Sequence, residues 1–129
     1  MSTVTICIGS NLSPVEPFQN RAALQINKAK LFIRKQFPVF KDTGIYPSDP
    51  ERSATSPYCN CVIIIGSKLD YNQLHTMLKE YESRERALLQ EPGHVTIDID
   101  IVIVDNEIVR PLDFSSAYFR KGLEMLGDE

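Results

Sequence analysis

Apolar residues recur along the chain with two periods. Val4-Thr5-Ile6-Cys7-Ile8 is a short β-rich run that ends at Gly9-Ser10-Asn11 and reads as a first strand. Gly9 is expected to let the chain turn at the strand's end. Glu16-Pro17 then opens a helix, because proline's missing N–H costs little in a first turn. Ala22, Ile26, Ala29 and Ile33 follow at helical spacing, so the helix runs to about Gln36. Val39 to Ile45 reads as a second strand. Tyr46 to Ser56 is rich in proline, acids and hydroxyl residues and reads as a loop.

Tyr58 to Ile65 is the third strand. Period two puts Tyr58, Asn60, Val62 and Ile64 on one face, and Cys59, Cys61, Ile63 and Ile65 on the other. Asp70-Tyr71-Asn72-Gln73 resembles a capping box. The helix after it has the stripe Leu74, Met77, Leu78, Tyr81 and fades into the charged segment Ser83 to Arg86. Gln90 to His94 is a turn-rich loop. Val95 to Val104 is the longest strand candidate, closed by a turn at Asp105-Asn106-Glu107. Asp113 to Glu129 reads as a short helix with a loose end. The order β-α-β-β-α-β matches a ferredoxin-like α+β plan, with both helices on one face of an antiparallel sheet and a short C-terminal extension.

Composition changes this picture little. The 129 residues favour one domain spanning 1–129, with 43% hydrophobic and 24% charged residues. A net charge of −3 removes the bulk electrostatic case for nucleic acid or an anionic membrane. Neither a leader nor a membrane span is expected, which makes cytoplasm the default compartment. Cys7, Cys59 and Cys61 form no Cys-x-x-Cys pair and read as small buried hydrophobes. Oligomeric state is not legible.

Candidate chemistry concentrates on the last strand. Val95, Ile97, Ile99, Ile101 and Ile103 share one face; Thr96, Asp98, Asp100, Val102 and Val104 share the other. Same-face neighbours lie roughly 7 Å apart, so two unpaired carboxylates there repel each other. A divalent cation removes that cost, and Mg²⁺ favours one or two carboxylates completed by water and phosphate oxygens. The plainer reading is a charged, solvent-facing strand edge. Tyr58 and Asn60 side by side can stack on and hydrogen-bond a flat heterocycle, or simply serve the core. Glu80, Arg84, Arg86 and His94, and the late cations Arg110, Arg120 and Lys121, can each meet a nucleotide or phosphate, yet most such charges are solvated faces and none is specific by itself.

Together these residues resemble the 6-hydroxymethyl-7,8-dihydropterin pyrophosphokinase family of folate biosynthesis. The blocks are Gly9-Ser10-Asn11-Leu12, Tyr58-x-Asn60, Glu80 followed by Arg84 and Arg86, and Gly93-His94-Val95-Thr96 followed by Asp98-x-Asp100, over roughly residues 3 to 108. The resemblance implies a ferredoxin-like fold and Mg²⁺-dependent transfer of pyrophosphate from ATP to the hydroxymethyl group of a dihydropterin, with AMP as product. It implies two Mg²⁺ on Asp98 and Asp100, and small molecules as the only partners. Gly9, Ser10, Asn11, Tyr58 and Asn60 would form the substrate site. Glu80, Thr96 and Ile101 would meet the nucleotide, and Arg84, Arg86 and His94 would be catalytic.

The chain departs from the family pattern at identifiable places. Val95, beside His94, stands where the family has an arginine before the threonine, and the chain has no tryptophan. No Pro-His-Pro block is recognisable in Asp113 to Glu129, so the expected member is divergent and short at that end. Phe114, Tyr118 or Phe119 would supply the second aromatic wall. An enzyme is the leading reading; a non-catalytic descendant that binds a nucleotide or pterin is the alternative.

Overall fold

The computed structural model describes residues 1–14, 20–48, 57–89 and 91–127. Its elements are β1 (Ser2–Ser10), α1 (Arg21–Arg34), β2 (Val39–Asp42), β3 (Tyr46–Ser48), β4 (Tyr58–Ser67), α2 (Tyr71–Leu88), β5 (Asp98–Val104), β6 (Glu107–Ile108), α3 (Pro111–Ser115) and α4 (Ala117–Leu126). The strands form one antiparallel sheet in the order β2-β4-β1-β5-β6, with β3 also paired to β4. The fold is α+β, as the element order predicts. Among the described residues no helix is long and apolar enough to cross a membrane.

Both expected stripes are buried. Ala22, Ile26, Ala29 and Ile33 of α1, with Leu74, Leu78 and Tyr81 of α2, pack on Ile6, Ile8, Cys61, Ile63, Ile65, Ile99 and Ile101. Asn20 caps α1 by accepting from the Ala23 N–H, and Asp70 and Gln73 form the full capping box of α2. The expected helix start at Glu16-Pro17 lies outside the described residues, and α1 ends at Arg34 rather than Gln36.

Several expectations are corrected. The charged run Ser83 to Arg86 does not end α2, because Glu82 and Glu85 are buried with partners. Glu85 pairs with Lys28 at 2.7 Å and accepts from Gln25 at 3.3 Å. Tyr46 to Ser48, read as loop, pairs with β4 instead; 49–56 lie outside the described residues. The fourth long strand starts at Asp98, not Val95, because Val95 spends its backbone bonds on Asn11: its carbonyl accepts from the Asn11 N–H and its N–H donates to Asn11 Oδ1. Period two also fails near the end of β5. Ile6 pairs with Ile101 while Thr5 pairs with Ile103, so a bulge skips Val102. Ile103 therefore packs on the opposite face from Ile101, and Val104 joins the helix side. Cys7 and Cys61 are buried as expected, but Cys59 is only half-buried.

The tail is more than a loose helix. Phe119 and Leu123 of α4 cover the second face of the sheet against Cys7, Tyr46, Val62 and Val102. Gly122 permits that approach: a Cβ there would meet Val62 Cγ2 at 2.4 Å and the Tyr46 hydroxyl at 2.5 Å.

Candidate functional site

α4 covers only part of the second face. What stays open is a small cleft lined by Cys7, Gly9, Ser48, Tyr58, Asn60, Asp98, Asp100 and Tyr118. Strand register explains the grouping. Asn60, Gly9 and Asp98 lie opposite one another across β4, β1 and β5, and Val62, Cys7 and Asp100 form the next row. Side chains two apart on a strand share a face, so the Tyr58-x-Asn60 and Asp98-x-Asp100 pairs meet on one floor.

Gly9 is not a turn residue. It sits inside β1, without positive φ, between the two pairs. A Cβ there would lie 3.5 Å from Asn60 Oδ1 and 3.7 Å from the Tyr58 ring, so glycine keeps the floor low where the two ends join. Asn60 is buried and its amide donates to Ser48 Oγ at 2.7 Å. Of the three aromatic candidates in the tail, Tyr118 borders the cleft. Phe119 is fully buried, and Phe114 packs against it at 6.0 Å.

The acidic end is electrostatically loaded. Asp100 is buried, whereas the Asp98 side chain is half-exposed. Asp98 is pushed well above the ordinary carboxylate range, first by losing part of its hydration and next by the charge of Asp100. The same two acids, after burial itself, push the Cys7 thiol up, so Cys7 stays neutral in the floor. Two cations answer the acids. Lys79 Nζ stands 3.2 Å from Asp100 and 3.7 Å from Asp98, and Arg110 lies 3.9 Å from Asp100. Lys79 was not among the sequence candidates, and Arg110 was one only as a cation able to meet a phosphate. Lys79 arrives from α2 and Arg110 from beyond the β5–β6 turn, so no spacing rule links them to the acids.

The remaining candidates lie outside the cleft floor. Ser10 and Asn11 are buried and hold Val95, with Ser10 Oγ donating to the Val95 carbonyl at 3.2 Å. Thr96 Oγ1 donates to the Leu89 carbonyl at 2.6 Å and ties the segment leading into β5 to the end of α2. The Ile101 side chain is buried in the helix-side core. Glu80 and Arg84 border a shallow groove along α2 with His75, Thr76, Lys79 and Ser83. Arg86 reaches Ser83 Oγ at 3.3 Å. His94 Nδ1 lies 3.3 Å from Glu91 Oε1 and 3.1 Å from the Pro92 carbonyl oxygen. The structure thus gathers Gly9, Tyr58, Asn60, Asp98 and Asp100 into one cleft, places Glu80 and Arg84 in a second, and does not bring His94 into either.

The sequence model of the 7,8-dihydro-6-hydroxymethylpterin-pyrophosphokinase family matches residues 5–125. The chain belongs to that family. The match spans the cleft, the α2 groove and nearly all of α4. No curated protein shows a significant match to the chain. Membership makes this a pyrophosphokinase-type transferase fold of folate biosynthesis. Among the described residues there is no cluster of three or more His, Cys, Asp or Glu able to hold a metal. The Asp98 and Asp100 carboxylates still fit a hard cation whose shell is completed by water and phosphate oxygens, since two acids sharing one strand face repel each other and a cation between them removes that repulsion.

Proposed function

We propose that this protein transfers pyrophosphate from ATP to the hydroxymethyl oxygen of a 6-hydroxymethyl-7,8-dihydropterin, with Mg²⁺, releasing AMP. The observation that carries the reading is the single cleft floor joining an aromatic and amide end to a carboxylate end. A flat ring between Tyr58 and Tyr118, with its polar edge at Asn60, would point a substituent toward Asp98 and Asp100. Those two carboxylates would hold Mg²⁺, whose charge neutralises phosphate oxygens. The α2 groove with Glu80 and Arg84 would receive the nucleotide. Ile101 would contribute through its backbone, which by period two faces the same strand edge as Ile99. Such transfer depends on positioning and charge neutralisation more than on covalent chemistry from the protein.

A second reading is a descendant that binds without transfer. Two observations favour it: Val95 carries no charge where the family has an arginine, and His94 is turned toward Glu91 and Pro92. Purified protein given Mg²⁺, ATP and the dihydropterin should form AMP, and Asp98→Asn should abolish both AMP formation and calorimetric Mg·ATP binding. Mg·ATP binding without AMP would select the second reading. No binding of either ligand would sink both. Val95 is 36% exposed, so a longer side chain has room there; Val95→Arg should raise turnover, as a cation at the transferred group is typically worth ~3–4 kcal/mol of barrier.

A further inference from the structure

Lys79 stands at a crossing that the reading above leaves unused. It leaves α2 and reaches the edge of β5 at Ile99, where it donates to the Ile99 carbonyl at 2.9 Å. Its neighbour Glu82 accepts from the Ile99 N–H at 2.7 Å and from Lys79 Nζ at 2.8 Å. From that anchor the ammonium faces both Asp100 and Asp98. The same side chain borders the α2 groove. Among the described residues, no other groove-lining side chain makes an ion pair with either acid.

The two cations at the acid pair differ in placement. Arg110 pairs with Asp113, away from the α2 groove. Lys79 lines the groove as well as facing the acids, and carries its charge on a flexible four-carbon stem. A divalent cation arriving at the acids would face the like charge of Lys79, whose Nζ stands 3.2 Å from Asp100 and 3.7 Å from Asp98, and a neighbouring charge that close shifts proton affinity by about one to three powers of ten.

We propose that Lys79 is a displaceable counter-cation: it neutralises Asp98 and Asp100 when no divalent cation is bound, and it swings to the α2 groove to bind a substrate phosphate when one is. The proposal rests on the acids being the metal site of the function above, but it is tested without ATP or a pterin. Lys79 thereby makes metal binding weaker in the free protein and phosphate binding dependent on metal. It also supplies a phosphate-binding cation from α2, in a chain with Val95 where the family has its arginine.

The test is Mn²⁺ titration followed by electron paramagnetic resonance, with no nucleotide present. Lys79→Gln keeps a donor for the Ile99 carbonyl but loses the charge, and should bind Mn²⁺ at least about tenfold more tightly than the wild type. Lys79→Arg should bind like the wild type. Equal Mn²⁺ affinity in Lys79→Gln and wild type overturns the proposal. A second measurement needs no variant: saturating Mn²⁺ should accelerate acetylation of Lys79 several-fold, read by peptide mass spectrometry, and unchanged or slower labelling overturns it. With Mn²⁺ bound, inorganic triphosphate should bind the wild type about tenfold more tightly than Lys79→Gln; equal binding overturns the phosphate-binding role. Failure to form AMP sinks the pyrophosphokinase reading alone, because none of these measurements involves turnover.

Discussion

Asp98 and Asp100 set the chemistry at the residue scale, and they do so at a cost to the fold. Asp98 holds its proton more tightly in the folded chain than in the unfolded one. At this site the folded state therefore binds more protons, and the contribution of Asp98 to stability falls as pH rises from about 4 through the raised value of about 7. Asp98→Asn should remove that slope. Near pH 8 it should stabilise the metal-free protein by about 1 kcal/mol, a figure kept small because the half-exposed carboxylate is screened by solvent. Saturating Mg²⁺ should flatten the wild-type slope as well, since it binds the ionised form. Thermal melting from pH 4 to 8, with and without Mg²⁺, checks both; a pH-independent wild type would refute the account. The Asp-x-Asp and Tyr-x-Asn pairs were legible in the sequence because a strand's period of two is local. That Lys79 and Arg110 stand beside those acids was not, since they meet only through packing.

At the scale of elements, the segments that follow β1 and precede β5 are latched together. Glu91 accepts from the Ser13 backbone N–H at 3.0 Å and from its hydroxyl at 2.8 Å, and it pairs with Arg21. The Ser13 bonds and the Arg21 charge hold its carboxyl down at about 2. This latch is complete above the ordinary glutamate range and opens only as pH falls toward 2. Glu91→Gln should speed amide exchange at residues 11–14 and 91–95 while leaving β1 and β4 protected; unchanged exchange in those loops would refute the latch. Helix α4 offers a second test. Gly122→Ala forces a methyl group into Val62 and the Tyr46 hydroxyl, so denaturant melts should show a loss of about 1–3 kcal/mol. A neutral result would mean α4 can lift at no cost. The reach of α2 past Arg86 was hidden because Glu82 and Glu85 look solvent-facing, and only their partners Lys79, Lys28 and Gln25 make their burial tolerable.

On the scale of the whole molecule, the sheet is covered on both sides, by α1 and α2 on one and by α4 on part of the other. The second cover both stabilises the fold and shapes the cleft, because Phe119 anchors α4 while its neighbour Tyr118 borders the opening. The Tyr46 hydroxyl donates to the Tyr118 carbonyl at 2.7 Å and fixes that relation. Phe119→Ala should cost about 3–5 kcal/mol and should weaken binding of a flat heterocycle; ligand affinity that survives the substitution would remove Tyr118 from the site. The sequence alone determined the α+β plan, the faces of β4, both helix stripes, and the two residue pairs that meet in the cleft. Each of these rests on periodicity or capping within a few residues. Only the tertiary structure decided that Gly9 joins those pairs rather than turning the chain, that a bulge at Val102 reverses the end of β5, and that Tyr118 rather than Phe114 or Phe119 borders the cleft. It alone brought Lys79 to the acids. Those features depend on register between distant strands and on a helix crossing a sheet face, which no local pattern encodes.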